Sequence, residues 1–172
     1  MSKRNTRRTV WVAAAFLVAG LAWAGDDSKG FSIGLQGSER ATLADLALPG
    51  YPGATPYSEG QGDKSAVTLG AWAGSFGLRV NAMKFQSTDA PILVAAFYAK
   101  ALGQYGPVLD CREPAARVKP PKDSDKLSCD EGAPPAGEYE FRVGTGKQFR
   151  AVHVKPHGNG ARFDMARVAF GN

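Results

Sequence analysis

The sequence predicts an α+β domain in which an antiparallel sheet of five to six strands packs on one main helix, in the order (α)-β-β-α-β-β-β-β. Two observations carry that prediction. Val94, Phe97, Tyr98, Ala101, Leu102 and Tyr105 recur at helical spacing and mark one substantial amphipathic helix. Before and after it lie runs that alternate apolar and polar residues, several of them joined by short Gly-containing connections. Strands joined by tight turns build an antiparallel sheet, and the helical stripe needs one face of it for burial.

The chain begins with a leader. Lys3, Arg4, Arg7 and Arg8 form a basic start without an acid, residues 10–23 are an apolar run, and Ala22-Trp23-Ala24 places small residues where a signal peptidase cuts. The run falls short of the roughly 20 apolar residues of a membrane-spanning helix. Residues 1–24 are therefore expected to be a signal peptide and the protein to be periplasmic or secreted, by the general secretory route. The Arg7-Arg8 pair also partly matches a twin-arginine signal. The alternative is an uncleaved leader that anchors the protein in the inner membrane, its basic end in the cytoplasm.

Cleavage changes the charge argument. The formal net charge of +5 counts four leader cations, and without them 17 basic residues face 16 acids, a net of +1. That balance offers no general electrostatic footprint for nucleic acid. Nor does a second apolar run of membrane length follow, so no transmembrane helix is expected after cleavage.

Residues 25–37 are rich in Gly, Ser and Asp and read as a flexible tether, leaving 38–172 as a single domain. Thr42-Leu43-Ala44-Asp45 opens a short helix with the two residues of a capping box. Leu48-Pro49-Gly50-Tyr51-Pro52-Gly53-Ala54 ends it in a fixed turn. Strands are expected over 65–72 and 76–85, connected through Ala73-Gly74-Ser75, with Val67, Leu69 and Ala71 as the core face of the first. The main helix is expected over 90–105, capped by Thr88 or Asp89, with Pro91 in its first turn and Gly106-Pro107 at its end.

A short strand over 107–112 carries Cys111, and 113–126 is a polar, Pro-rich loop before another brief strand over 127–130. Cys111 and Cys129 are the only cysteines. In an oxidising compartment an isolated pair forms one structural disulfide, with an entropic stabilisation of about 3 kcal/mol for a loop of this size. Three strands follow, over 138–143, 148–155 and 161–170, the last two joined around Asn159-Gly160.

The run Leu48-Pro49-Gly50-Tyr51-Pro52-Gly53-Ala54, followed by Phe97-Tyr98-x-x-x-Leu102-x-x-Tyr105-Gly106 and Val108-Leu109-x-Cys111, resembles a group of uncharacterised bacterial exported proteins with a YPGA turn and an FY…L…YG helix. The resemblance covers about residues 45–170. It implies a compact exported domain and transfers no activity and no functional residue.

Catalytic, cofactor-binding and metal-binding signatures are not found. Ala73-Gly74-Ser75-Phe76-Gly77 misses the nucleophile elbow by one position, and Gly144-Thr145-Gly146-Lys147 fails the phosphate-loop spacing. Asp123/Asp125 and Asp130/Glu131 sit in or beside the polar loop, where no desolvated cleft tunes a carboxylate. His153 and His157, with Asp164 from the facing strand, are the only residues from which a small metal-dependent or hydrolytic site could be built. Pro156 between the histidines is expected to keep them off a common strand face. The plainer reading is a packed or outward His153 and a turn-borne His157.

The expected function is therefore a noncatalytic binding or interaction domain. Its candidate surface residues are the turn aromatics Tyr51, Trp72 and Phe76 and the strand cations Arg142, Arg150, Arg162 and Arg167. With Lys147 and Lys155, those cations would form a positive patch if they gathered on one sheet face, and an ordinary solvated face otherwise. The expected partners are an envelope protein, a cell-wall polymer or an anionic surface.

Overall fold

The computed structural model describes residues 33–129 and 132–171. The leader, most of the tether and the Asp130/Glu131 pair lie outside the described residues.

Between the tether and the turn that ends the short helix, the chain already departs from expectation. Residues Ile33–Ser38 form strand β1, paired antiparallel with a later strand, where a tether through residue 37 was expected. Gly-rich sequence weakens a strand but does not forbid one. Here Gly34 has a specific use, because a Cβ at that position would run into the indole of Trp72 on the neighbouring strand.

Helix α1 spans Leu43–Leu46 and closes with the capping box read from the sequence: Asp45 N–H donates to Thr42 Oγ1 at 3.3 Å, and Thr42 N–H donates to Asp45 Oδ2 at 2.8 Å. Ala47 ends it in the left-handed region at φ 51°, with Ala47 N–H and Leu48 N–H returning to Ala44 and Leu43 carbonyls. Strand β2 (Thr55–Pro56) pairs with the edge of β4 (Phe76–Ser87), which forms a hairpin with β3 (Ala66–Ala73).

Helix α2 spans Pro91–Leu102 and tightens into a 3₁₀ turn over Gly103–Tyr105, so the predicted single helix is two pieces. Its N-cap residue is Ala90, without a side-chain cap. Asp89 is diverted, its Oδ2 accepting the Tyr51 hydroxyl at 2.7 Å. Strand β5 (Leu109–Asp110) leads into the disulfide loop, and β6 (Tyr139–Gly144), β7 (Gln148–His157) and β8 (Gly160–Phe170) complete the chain. The described part of the strand expected over 127–130 is not a strand, and a single bridge between Lys126 and Thr145 lies just before it. The last hairpin turns on Gly158 and Asn159, one residue earlier than expected, because Gly158 takes the positive φ (56°) at the first turn position.

The result is one antiparallel sheet of eight strands, ordered β1-β3-β4-β8-β7-β6-β5 with β2 on β4. Helix α2 packs on β6, β7 and β8, and α1 on β4 and β8. The core between them holds Leu46, Val94, Tyr98, Leu102, Phe141, Val143, Val152, Val154, Phe163 and Met165, all buried. The helical stripe thus packs as predicted, though Phe97 is only half-buried and Tyr98 is its deepest member.

The core face of β3 is the reverse of the expected one. Val67, Leu69 and Ala71 lie in register with Ala82, Val80 and Leu78 of β4, on the face away from both helices. Phe85 and the half-buried Met83 point to the helix side instead. A 12-residue helix is about 18 Å long, far short of the width of the seven strands that lie side by side about 4.8 Å apart. The helices therefore cover one part of one face, and alternation alone does not reveal which apolar set they cover.

Cys111 and Cys129 form the expected disulfide, Cα atoms 5.4 Å apart, in a small second core with Ala116 and Leu109. Cys111 N–H donates to Glu140 O at 2.9 Å, tying the start of the loop to β6, and Cys129 N–H donates to Ala116 O at 2.8 Å within the loop.

Candidate functional site

Strand alternation and register sort the open face of the sheet, opposite the helices, into rows of cross-strand neighbours. One row is ionic: Lys84, Asp164, His153 and Glu140 on β4, β8, β7 and β6. The next is small and apolar: Val67, Ala82, Ala166 and Ala151. Beyond it come Leu69, Val80, Val168 and Phe149, and then Leu35, Ala71, Leu78 and Phe170. The face is therefore charged at one end and apolar at the other.

The small row makes the surface concave. Three alanines abreast leave a hollow where larger side chains would level the sheet, and the loop before β3 walls it with Asp63 and Lys64. The resulting trough has a volume of about 560 Å³, within the range of small-molecule sites. A second hollow of about 370 Å³ lies on the same face over Leu35, Leu69, Leu78 and Val80. Leu35 is 85% exposed, Leu69 53%, Phe76 54% and Phe170 38%, so this apolar end is open to solvent.

The ionic end is largely self-neutralised. Lys84 pairs with Asp63, Arg162 Nη1 with Glu59, His153 Nε2 with Glu138 Oε2 at 2.7 Å, and Arg142 Nε with Glu140 Oε1 at 2.7 Å. Arg162 is only 8% exposed, and its guanidinium lies 4.7 Å from the Tyr57 ring centroid. Arg162 Nε and Asp164 Oδ1 form a further ion pair at 3.6 Å, both atoms buried and neither in a hydrogen bond.

The sequence-derived surface residues do not form one surface. Tyr51 is a lid on the core, its ring 5.1 Å from Phe97 and 6.2 Å from Phe163, and its hydrogen bond to Asp89 holds the phenol above its ordinary pKa. Trp72 lies across Gly34 on the helix-side face, whereas Phe76 is on the open face beside Phe170.

The strand cations are divided between the faces as well, so no positive patch forms from them. Arg142 and Arg162 belong to the open face. Arg150 and Arg167 point to the other side, where they close the C-terminus of α1. Arg167 Nη1 donates to Asp45 O at 3.3 Å, Arg150 Nε to Leu46 O at 3.0 Å, and the Tyr105 hydroxyl to Ala47 O. Three consecutive carbonyls that the helix leaves unpaired are thus satisfied from three distant segments. Lys147 reaches Asp125 at 3.4 Å across an exposed turn.

The histidine-based alternative is not assembled. His153 and His157 do share the parity of the open face, since β7 continues through Pro156, which corrects the expectation that proline separates them. Four residues of strand nevertheless hold them about 13 Å apart. His153 engages Glu138, and His157 packs edge-on against Tyr57 at 5.0 Å. Among the described residues no three His, Cys, Asp or Glu side chains converge in a metal-binding geometry. Ser75 and the segment 145–147 both lie in hairpin connections.

The trough residues Lys84, Ala82, Ala151, Ala166 and Asp63 were not singled out in the sequence. For the alanines the only early sign is a small residue at an alternating strand position, and its meaning depends on which strands are neighbours. No protein-family model, curated protein or solved structure matches the chain.

Proposed function

We propose that this chain is an exported, noncatalytic binding domain whose ligand seat is the trough on the open face of the sheet. The observation that carries the proposal is the trough itself: a concave, alanine-floored surface between a charged end and a solvent-exposed apolar end. Folding has left a broad apolar area uncovered there, and a bound partner would remove it from water. Because the neighbouring charges are matched internally, an anionic surface is the weakest of the partner classes considered. Export rests on the leader pattern and on the resemblance to the YPGA group. A lone disulfide suits an oxidising compartment. No helix among the described residues is long and apolar enough to cross a membrane.

The test uses the neutral apolar fluorophore N-phenyl-1-naphthylamine with the purified, detergent-free protein. The wild type is expected to bind the probe. Ala166→Trp and Ala82→Phe, which fill the trough from adjacent strands, are expected to lose that binding while retaining the wild-type melting temperature. Equal binding by well-folded variants overturns the assignment of the seat.

A further inference from the structure

The helix-side face of the sheet gathers positive charge beside α1. Arg150 and Arg167 stand directly opposite each other on β7 and β8. Arg79 on β4 is the diagonal neighbour of Arg167, since Arg79 pairs with Ala169 and Asn81 with Arg167. Diagonal positions lie about 7–8 Å apart, and like charges set side by side on one face destabilise a sheet. An anion between them would reverse that effect.

There is room for one. Gly70 and Ala169 flank Arg79 on the neighbouring strands, and Ala44 and Asp45 of α1 wall a hollow of about 210 Å³ between Arg79 and Arg167. Arg79 is exposed and makes no hydrogen bond or ion pair among the described residues. Arg167 spends one N–H on Asp45 O, at a long 3.3 Å, and keeps the rest of its fork. Asn81 also lines the hollow and is only 8% exposed. Its Oδ1 accepts from Thr68 Oγ1 at 2.9 Å, which leaves the Nδ2 donor unpaired among the described residues. The one acid in the lining is Asp45, whose Oδ2 is occupied by the Thr42 cap. Two guanidinium groups and an amide thus face the space against a single carboxylate.

The donor set selects among anions. A carboxylate has two coplanar oxygens, which one guanidinium fork satisfies. The tetrahedral oxygens of a phosphate accept from two forks and an amide together. We propose that this hollow binds a phosphate group, held by Arg79 and Arg167 with Asn81 Nδ2 as the third donor. Free phosphate and a phospholipid headgroup share that chemistry. The site lies on the opposite face from the trough and does not depend on it.

The experiment is isothermal titration calorimetry at constant ionic strength with inorganic phosphate and with acetate, alongside sedimentation with phosphatidylcholine vesicles with and without phosphatidic acid. Phosphate is expected to bind saturably with a dissociation constant of about 1 mM or tighter, and acetate at least about tenfold more weakly. Phosphate should also raise the melting temperature of the wild type. Arg79→Gln is expected to melt as the wild type does without phosphate, because the side chain is exposed and unpaired, and to lose about tenfold or more in phosphate affinity. Asp45→Asn, which removes the acid from the lining, is expected to tighten binding. Sedimentation with phosphatidic acid vesicles alone, lost in Arg79→Gln and without a response to inorganic phosphate, supports the site and assigns it to a headgroup. Binding of neither source overturns the proposal. So does acetate equal to phosphate, or phosphate affinity unchanged in Arg79→Gln, which would leave an adventitious ion only.

Discussion

Replacing Arg150 by Ala distinguishes a structural cation from one waiting for a partner. Arg150 Nε donates to Leu46 O at 3.0 Å, and its guanidinium lies 3.7 Å from the Tyr105 ring centroid. A hydrogen bond from a charged donor contributes about 1.5–3 kcal/mol. A cation over an aromatic ring adds about 0.5–2 kcal/mol. Against these stands partial burial, which pulls the guanidinium below its ordinary pKa, an effect that Tyr105 counters and Arg167 reinforces. Relief of that desolvation in the alanine variant returns part of the loss, so the net destabilisation is expected at about 2–3 kcal/mol. For a domain of this size each kcal/mol moves the melting temperature by roughly 2–4 °C, which sets the expected fall at about 5–10 °C. Urea unfolding followed by circular dichroism should show a lower midpoint with an unchanged slope. Arg150→Lys should fall between, because an ammonium keeps the charge but loses the planar stack. Lys147→Ala is the control: its exposed pair with Asp125 predicts a change below about 0.5 kcal/mol. An Arg150→Ala variant as stable as Lys147→Ala would refute the capping role and return Arg150 to the candidate binding residues.

Phe163→Ala should cost about 3–5 kcal/mol, since the ring is fully buried and stacks on Phe85 at 5.5 Å; a loss below 1 kcal/mol in urea unfolding would contradict the position of the core. Replacing Cys111 and Cys129 together by Ser should lower stability by about 3 kcal/mol, and reductant should shift the melting temperature of the wild type but not of the variant. Two carboxyls make the protein sensitive to acid. The hydrogen bonds from Thr42 hold Asp45 below its ordinary value of 3.8, and the hydrogen bonds from Arg112 do the same for Asp110. Because the folded-state values are depressed, their stabilisation is present above the unfolded-state value and is lost as pH falls through the folded one. Melting temperature should therefore drop below about pH 4, less steeply in Asp45→Asn and Asp110→Asn; unchanged acid limbs would count against both contacts.

Local features were legible in the chain because their physics is local. The Thr42/Asp45 box, the α2 stripe and the short turns each depend on residues within a few positions of one another, and each is present in the structure. The disulfide was legible for a different reason: two cysteines allow one intramolecular pairing. Local departures are small, a turn moved by one residue and a helix end tightened, and the larger ones concern which segments meet. Leu35 and Gly37 read as tether because β3, their partner, lies far along the chain. Val67, Leu69 and Ala71 read as core because alternation identifies an apolar face without identifying what covers it.

The same limit governs the site. Arg142, Arg150, Arg162 and Arg167 look alike in the sequence, and tertiary position separates them: two reach the open face, and two close a helix that lies more than a hundred residues earlier. The alanines of the trough become a floor only when β3, β4, β8 and β7 stand side by side in register. Composition and periodicity determine which elements form, since they act through neighbouring side chains and backbone preference. The sheet's order and the reach of its helices decide which face stays open and what it could hold, since those depend on packing between segments with no covalent proximity.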